Sequence, residues 1–266
     1  VRPVPTPTSR LQLLAGFTAD AAAAIMPYLA RLGVGHVFCP PVLQAAPGST
    51  HGYDVVDHDR ISAEIGGEEA LRRLADAAHA HGIGLIVDVV PNHMAIPTPI
   101  WHNRALWSVL REGPRSPYAE WFDVDLDGEL SLLVPVLGRP IGAVLADGEI
   151  TVGEEQVPQA DGTMRTEPVV RYYDHVLPLA AGTEHLGLAD LLDRQWYRLA
   201  YWKVADDELD YRRFFDVDTL AAVRVELPGV FDATHQTLLR LQGEGVIDGY
   251  RIDHPDGLSD PRGYLR

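Results

Sequence analysis

Short apolar runs alternate with longer amphipathic stretches over the first part of the chain. Ser9–Leu14 (SRLQLL) predicts a strand. Thr18–Leu32 predicts a helix, with Thr18 as its N-cap and Gly33 as its stop. Gly35–Pro40, carrying the apolar run HVF, predicts a second strand, followed by a long loop that is polar toward its end. Glu68–His81 predicts a second helix, closed by Gly82. Gly84–Val90 (GLIVDVV) predicts a third strand running into PNHMAIPTP. Pro3, Pro5 and Pro7 keep the preceding residues extended. Strand–helix–strand–helix–strand with short connections is the pattern of an α/β protein with a parallel sheet and right-handed crossovers.

Between Val90 and Val246 the rhythm is lost. Trp101–Leu110 predicts a helix. The stretch 123–157 alternates more like strands and carries the turn signals LDGE and ADGE. Leu188–Val204 and Val217–Glu226 look helical. Gly229–Gly243 places Val230, Thr234, Leu238 and Leu241 on one face of a further helix. A single crossover needs roughly 30 residues, so this stretch predicts a large α+β insertion after the third strand. The expected organisation is residues 1–95 as three β/α units, 96–215 as an insertion subdomain, and 216–266 as a crossover helix and fourth strand. A closed barrel takes eight strands and roughly 250 residues without insertions. The chain is therefore expected to be part of a longer protein.

The stretch Val246–Pro261 (VIDGYRIDHPDGLSDP) predicts a strand entering a polar loop. Gly249, Arg251 and Asp253 share one face of that strand. Charged side chains on a buried face are usually paired, and Arg251 favours the ionised form of Asp253. Two readings follow from these residues: a nucleophilic or electrostatically stabilising aspartate, or a structural ion pair at a strand end. In the third strand Gly84, Ile86 and Asp88 likewise share a face. Two such strands predict two carboxylates converging at the carboxyl edge of one sheet, where α/β proteins bind ligands.

Charge narrows the partners. With 22 basic against 38 acidic residues, a formal net charge of −16 argues against nucleic acid and anionic membrane surfaces and suits a neutral ligand. No apolar run approaches the length of a membrane span, and the first residues lack a signal-peptide core. The single cysteine, Cys39, reads as a buried small hydrophobe in a reducing compartment, and the expected location is the cytoplasm. His51 and His93 lack zinc-site spacing, and PGSTHG and EIGGEE lack phosphate-loop spacing. No metal or cofactor is expected. The run Asp206–Asp210 reads as a solvated surface, and Trp196, Tyr201 and Trp202 read as core.

Several segments resemble the α-amylase-type glycoside hydrolase superfamily: DVVPNH at Asp88–His93, GYRIDH at Gly249–His254, and HGYDVVD at His51–Asp57. SRLQLLAGFTADAA, LVPVLGRPIGAVL, VRYYDHVLPLA, LLDRQWYRLAYWKV, DYRRFFDVDTLAAVRVE and DGYRIDHPDGLSDP resemble the malto-oligosyltrehalose synthase branch of it, and together these segments span nearly the whole chain. The resemblance implies the N-terminal half of a (β/α)8 TIM barrel. It also implies a (1→4)-α-D-glucan 1-α-D-glucosylmutase acting on malto-oligosaccharides. In that scheme Asp253 is the nucleophile and Arg251 orients it. Tyr53 stacks on the reacting glucose, with His51 beside it, and His93 hydrogen-bonds to the sugar. Asp88 and Asn92 support the pocket, and His254 and Asp256 face the reducing side. A calcium site through Asn92, used by some relatives with this motif, is not expected in this branch.

The chain departs from the family at Ser9, where an aromatic is usual, and at Asp210, where an asparagine is usual. The motifs that carry the general-acid glutamate and the second aspartate have no counterpart in the chain; Glu226 and Glu244 stand in no matching motif. Residues 1–266 alone are expected to lack turnover. The competing functions are an amylase-type hydrolase or transglycosylase, and a non-catalytic glucan-binding module.

Overall fold

The computed structural model describes residues 7–124, 132–159, 161–215 and 217–266. The chain divides into two compact units, residues 1–93 with 224–266, and residues 94–223.

The first unit opens with strand β1 (Thr8–Arg10), shorter than the predicted 9–14. The helix expected over 18–32 is two pieces, α1 (Ala19–Ala24) and α2 (Met26–Arg31). Thr18 caps α1 as predicted, accepting from the Ala21 amide at 3.4 Å. Pro27 has no N–H to continue the ladder, so a new helix starts around it. Strand β2 (His36–Cys39) follows. The segment read as a polar loop holds an antiparallel pair instead, β3 (Leu43–Ala45) and β4 (Val55–Ile61), whose register is twice interrupted. Those interruptions break the period-two alternation, which is why the pattern was invisible in sequence. Helix α3 (Gly67–His79) and strand β5 (Gly84–Val89) come next, close to their predicted limits.

The chain enters the second unit within β6 (His93–Ala95) and continues through α4 (Arg104–Glu112), β7 (Leu132–Leu137), α5 (Ile141–Ala146), β8 (Ile150–Pro158), β9 (Met164–Tyr172), β10 (His175–Pro178), α6 (Leu188–Leu192), β11 (Tyr197–Tyr201), α7 (Ala205–Glu208), β12 (Arg213–Phe214) and β13 (Val217–Ala222). Helix α4 is the helix expected over 101–110. Buried Asn103 caps it, its Oδ1 accepting from the Leu106 amide while its Nδ2 donates to the Ala95 carbonyl. β8, β9 and β10 form an antiparallel sheet, β7 pairs with β11 in parallel, and β6, β13 and β12 form a third sheet. Two predicted helices are corrected. Leu188–Val204 is a one-turn helix followed by β11, and Val217–Glu226 begins as β13. In both, pairing with strands distant in sequence outweighs local preference. Within 123–157 the strands β7 and β8 flank a helix, α5, and the turn signal LDGE lies outside the described residues, as do Pro3 and Pro5. The acidic run is not uniformly solvated either, because both Asp210 oxygens accept from the Leu133 amide, at 2.9 and 3.1 Å. Trp202, expected in the core, is 55% exposed.

The chain returns to the first unit with α8 (Pro228–Gly243), β14 (Gly249–Ile252) and α9 (Pro261–Tyr264). The order β1-β2-β5-β14 makes a four-stranded sheet, and every pairing in it is parallel. All four carboxyl ends therefore lie along one edge. Leu85, Val87 and Val89 of β5 pack into one cluster with Leu71 and Leu74 of α3 and Leu238 and Leu241 of α8. Each such fully buried side chain contributes about 1.5–3 kcal/mol. Asp248 fixes the entry of β14: its Oδ2 accepts from the Leu85 amide at 2.8 Å and meets His79 Nε2 at 2.7 Å.

Candidate active site

Strand register sets the chemistry at the carboxyl edge. Arg251 of β14 lies opposite Asp88 of β5, and period two returns Asp253 to the Arg251 face. Arg251 Nη1 donates to Asp88 Oδ1 at 3.1 Å and Oδ2 at 2.8 Å, and to Asp253 Oδ1 at 2.6 Å. The two carboxylates predicted to converge do so around one guanidinium. Asp88 and Asp253 are buried at 1% and 7% exposure, while the Arg251 side chain is 48% exposed. The cation thus reaches from the rim to anions beneath it. Among the described residues no donor engages Asp253 Oδ2, which leaves one carboxylate oxygen for a ligand.

Tyr53 approaches Asp88 from the loop before β4, its hydroxyl donating to Oδ2 at 2.6 Å. The turn that presents it is tightly held. Ser49 Oγ bonds Asp54 and accepts from the Gly52 amide, and the Tyr53 amide donates to His51 Nδ1 at 3.1 Å. Gly52 sits at φ +82°, where a Cβ would lie 2.7 Å from the Pro41 carbonyl oxygen. Only glycine meets both conditions. His93, 2% exposed, places Nε2 at 3.1 Å from the Tyr53 carbonyl. That geometry requires the proton on Nε2, since a carbonyl only accepts.

Burial dominates the titration of this cluster. It pushes the Asp88 carboxyl up against the opposing effects of the Tyr53 hydroxyl and Arg251. It pushes the Tyr53 phenol up, with Asp88 adding to the shift, and it pulls His93 down toward the neutral imidazole. Burial also works against the Arg251 charge, yet Asp88 and Asp253 more than restore it.

The remaining predicted residues lie around this cluster. Asn92 is buried, and Gly257 lies so close that a Cβ there would stand 2.3 Å from Asn92 Nδ2. His51 stacks on Tyr53, with centroids 6.1 Å apart. His254 holds a left-handed backbone, φ +42°, unusual for a non-glycine residue and a recurring mark of functional sites. Its Nδ1 faces Asp256 at 3.8 Å on the exposed rim. Glu226 pairs with Arg224, and Glu244 with Arg72 and Arg240; neither touches the cluster.

Sequence reasoning missed Arg10. It ends β1 on the same carboxyl edge and lies near enough to the Tyr53 hydroxyl to favour its ionised form against the larger effect of burial. A charged residue at the carboxyl end of a parallel strand is the signal that finds it, once β1 is seen to end there.

The arrangement presents an anionic oxygen held by a cation, an aromatic ring and a neutral imidazole at the edge of a parallel sheet. A neutral, hydroxyl-rich ligand suits those groups. Known proteins resemble this chain over nearly its whole length. A family profile described as "Alpha amylase, catalytic domain" matches residues 22–263. A putative maltooligosyl trehalose synthase of Mycobacterium tuberculosis is 41% identical over 253 residues, covering 94% of this chain and 30% of its own length. The solved maltooligosyltrehalose synthase of Arthrobacter ramosus gives a TM-score of 0.88 at 46% identity, over 98% of this chain and 32% of that one. A hypothetical maltooligosyl trehalose synthase of Sulfolobus tokodaii gives 0.81 at 38%, over 99% and 33%. The chain spans about a third of the length of these relatives.

Proposed function

The chain belongs to the α-amylase catalytic-domain family, and from that membership we propose that it carries the nucleophile half of an intramolecular transglucosylase. The substrate is a malto-oligosaccharide. The reaction converts its reducing-end α-1,4 linkage into an α,α-1,1 linkage. In this reading the four parallel strands begin a (β/α)8 barrel, residues 96–215 are an insertion after its third β/α unit, and the protein works in the cytoplasm.

The observation that carries the proposal is the guanidinium of Arg251 shared between Asp88 and Asp253, in a chain 46% identical to the Arthrobacter synthase. The Asp253 oxygen left without a donor attacks C1 of the penultimate glucose as the C1–O4 bond breaks. The departing O4 takes a proton from a general acid, and a glycosyl ester on Asp253 results. The freed glucose turns within the pocket. Its anomeric hydroxyl gives its proton to the same group, now a base, and attacks C1, expelling Asp253. Two inversions retain the α configuration. A retaining pair stands about 5–5.5 Å apart; we place the acid outside residues 1–266, since neither Glu226 nor Glu244 joins the cluster. Tyr53 and His51 supply the ring platform, and His93, Asn92 and Asp88 hold the reacting glucose. His254 and Asp256 meet the terminal sugar. Exclusion of water separates this outcome from hydrolysis.

The test uses full-length protein with maltopentaose. Reducing ends should disappear without release of free glucose, and α,α-1,1 anomeric signals should appear by NMR. Asp253→Asn should abolish both while leaving glucan binding. A rise in reducing ends would identify a hydrolase. Binding without turnover in the wild type would identify a glucan-binding module. Turnover by residues 1–266 alone would overturn the placement of the acid.

A further inference from the structure

The second unit contains a cleft of about 270 Å³ that shares no residue with the Asp253 cluster. Its walls combine aromatic rings with fixed polar groups. Trp101 meets Trp107 edge to face, with centroids 6.1 Å apart. Tyr118 stands on the lining and meets Trp121 in the same way at 5.0 Å. Glu167, 5% exposed, accepts from three sides: Trp107 Nε1 at 3.2 Å, Arg111 Nη1 at 2.9 Å and Gln159 Nε2 at 3.2 Å. Arg111 also grips Glu112 through Nη2 at 2.7 Å.

Three features of this cleft select its ligand. The charges of Arg111, Glu112 and Glu167 are engaged with one another, and Arg104 on the same lining offsets the second carboxylate, so no excess charge calls for a counter-ion. Two acceptors remain. Gln159 spends its amide N–H groups on the Val157 carbonyl and Glu167, and among the described residues nothing donates to its Oε1. The same holds for Glu112 Oε2. Finally, the aromatic walls offer an apolar surface bounded by those acceptors. A sugar ring has matching parts: a face of C–H groups for the indole or phenol ring, and a rim of hydroxyls that donate to amide and carboxylate oxygens. Groups already locked by their neighbours lose little freedom when the ligand arrives.

We propose that this cleft is a second saccharide-binding site, which takes a neutral glucan segment between Trp101, Tyr118, Gln159 and Glu112. It does not depend on the reaction proposed for the Asp253 site.

The test is titration calorimetry of full-length protein with maltoheptaose, in an Asp253→Asn background so that no turnover intervenes. Trp101→Ala should lower the number of occupied sites per chain by one, or weaken one class of site at least tenfold. Gln159→Ala, which removes a half-buried amide and leaves Glu167 its bonds to Trp107 and Arg111, should do the same in part. Circular dichroism checks the fold of both. Stoichiometry and affinities unchanged in both variants would overturn the proposal. The result is independent of what the Asp253 site catalyses, because failure of that reading changes the products of turnover and not the effect of these two substitutions on binding.

Discussion

Arg251 stands opposite Asp88 across two parallel strands, and its single Nη1 nitrogen bonds both oxygens of Asp88 and one of Asp253. Register and side-chain period together produce this relationship. A one-residue slip of β14 would turn Arg251 and Asp253 away from Asp88. Asp248 opposes such a slip by anchoring the start of β14 to the Leu85 amide. The sheet therefore specifies the cluster, and Tyr53, His93 and His254 surround it from outside that sheet.

Arg251→Lys tests whether the shared guanidinium orients Asp253. A lysine ammonium is a point charge and cannot span both carboxylates with the planar fork of arginine. The charge is retained but the position of Asp253 is lost. Turnover should fall by about 10²-fold, the scale of a misplaced reacting group, with a much smaller change in KM. Steady-state kinetics on the full-length protein measures this, and wild-type kcat in the lysine variant would show that charge alone suffices.

Substitution can separate the hydrogen bond of Tyr53 to Asp88 from the platform proposed for its ring. Tyr53→Phe keeps the ring and its contact with His51 but removes the 2.6 Å bond to Asp88. A hydrogen bond to a charged group contributes about 1.5–3 kcal/mol, so kcat should drop at least about tenfold with KM little changed. Tyr53→Ala removes the platform too and should raise KM as well. Equal effects of both variants on KM would assign Tyr53 to stacking alone.

The first unit is legible in sequence because each strand of its parallel sheet is a short apolar run, and an aspartate on such a run is conspicuous. Asp88 and Asp253 stand out for that reason. Arg10 does not: the pattern predicts a strand over Ser9–Leu14, which puts Arg10 near the amino end, whereas it closes β1 at the carboxyl end. LLDRQWYRLAYWKV carries apolar residues at spacings that fit both periods, so the sequence predicts helix over Tyr197–Tyr201. Its pairing with Leu132–Leu137 cannot be read from local pattern. Asp210 is opaque for the same reason, its partner being the Leu133 amide far back in the chain. Residues whose role lies on their own strand are readable; those defined by a distant backbone group are not.

Gly257→Ala probes the loop after β14. A Cβ there would stand 2.3 Å from Asn92 Nδ2, so either the buried amide or the 255–257 turn must move. Overpacking of this kind costs about 1–3 kcal/mol, and a shift of buried Asn92 disturbs the surroundings of the Asp253 cluster. Denaturant melts should show a loss in that range, and kcat/KM should fall about tenfold or more. Undisturbed stability and activity would mean that the turn relaxes freely.

Glu68 gives a prediction in pH. It joins α3 to α8, accepting from Arg240 Nη2 at 2.7 Å and Arg72 Nη2 at 2.6 Å; Glu244 bonds the same two arginines. Arg240 foremost, and Arg72 with it, hold the Glu68 carboxyl down to about 2 from an ordinary 4.5. A folded-state value below the unfolded one means that the native state prefers the anion. The resulting stability is fully present above about 4.5 and is lost as pH falls toward 2. The side chain is partly solvated, so the ion pairs contribute only about 0.2–1 kcal/mol. Glu68→Gln should thus be less stable than wild type by that amount at pH 7, and the difference should shrink steadily on acidification and in high salt. Urea melts of both proteins across pH at two ionic strengths provide the measurement. A stability gap that stayed constant down to the lowest pH would show that Glu68 acts through packing of its methylenes and not through its charge.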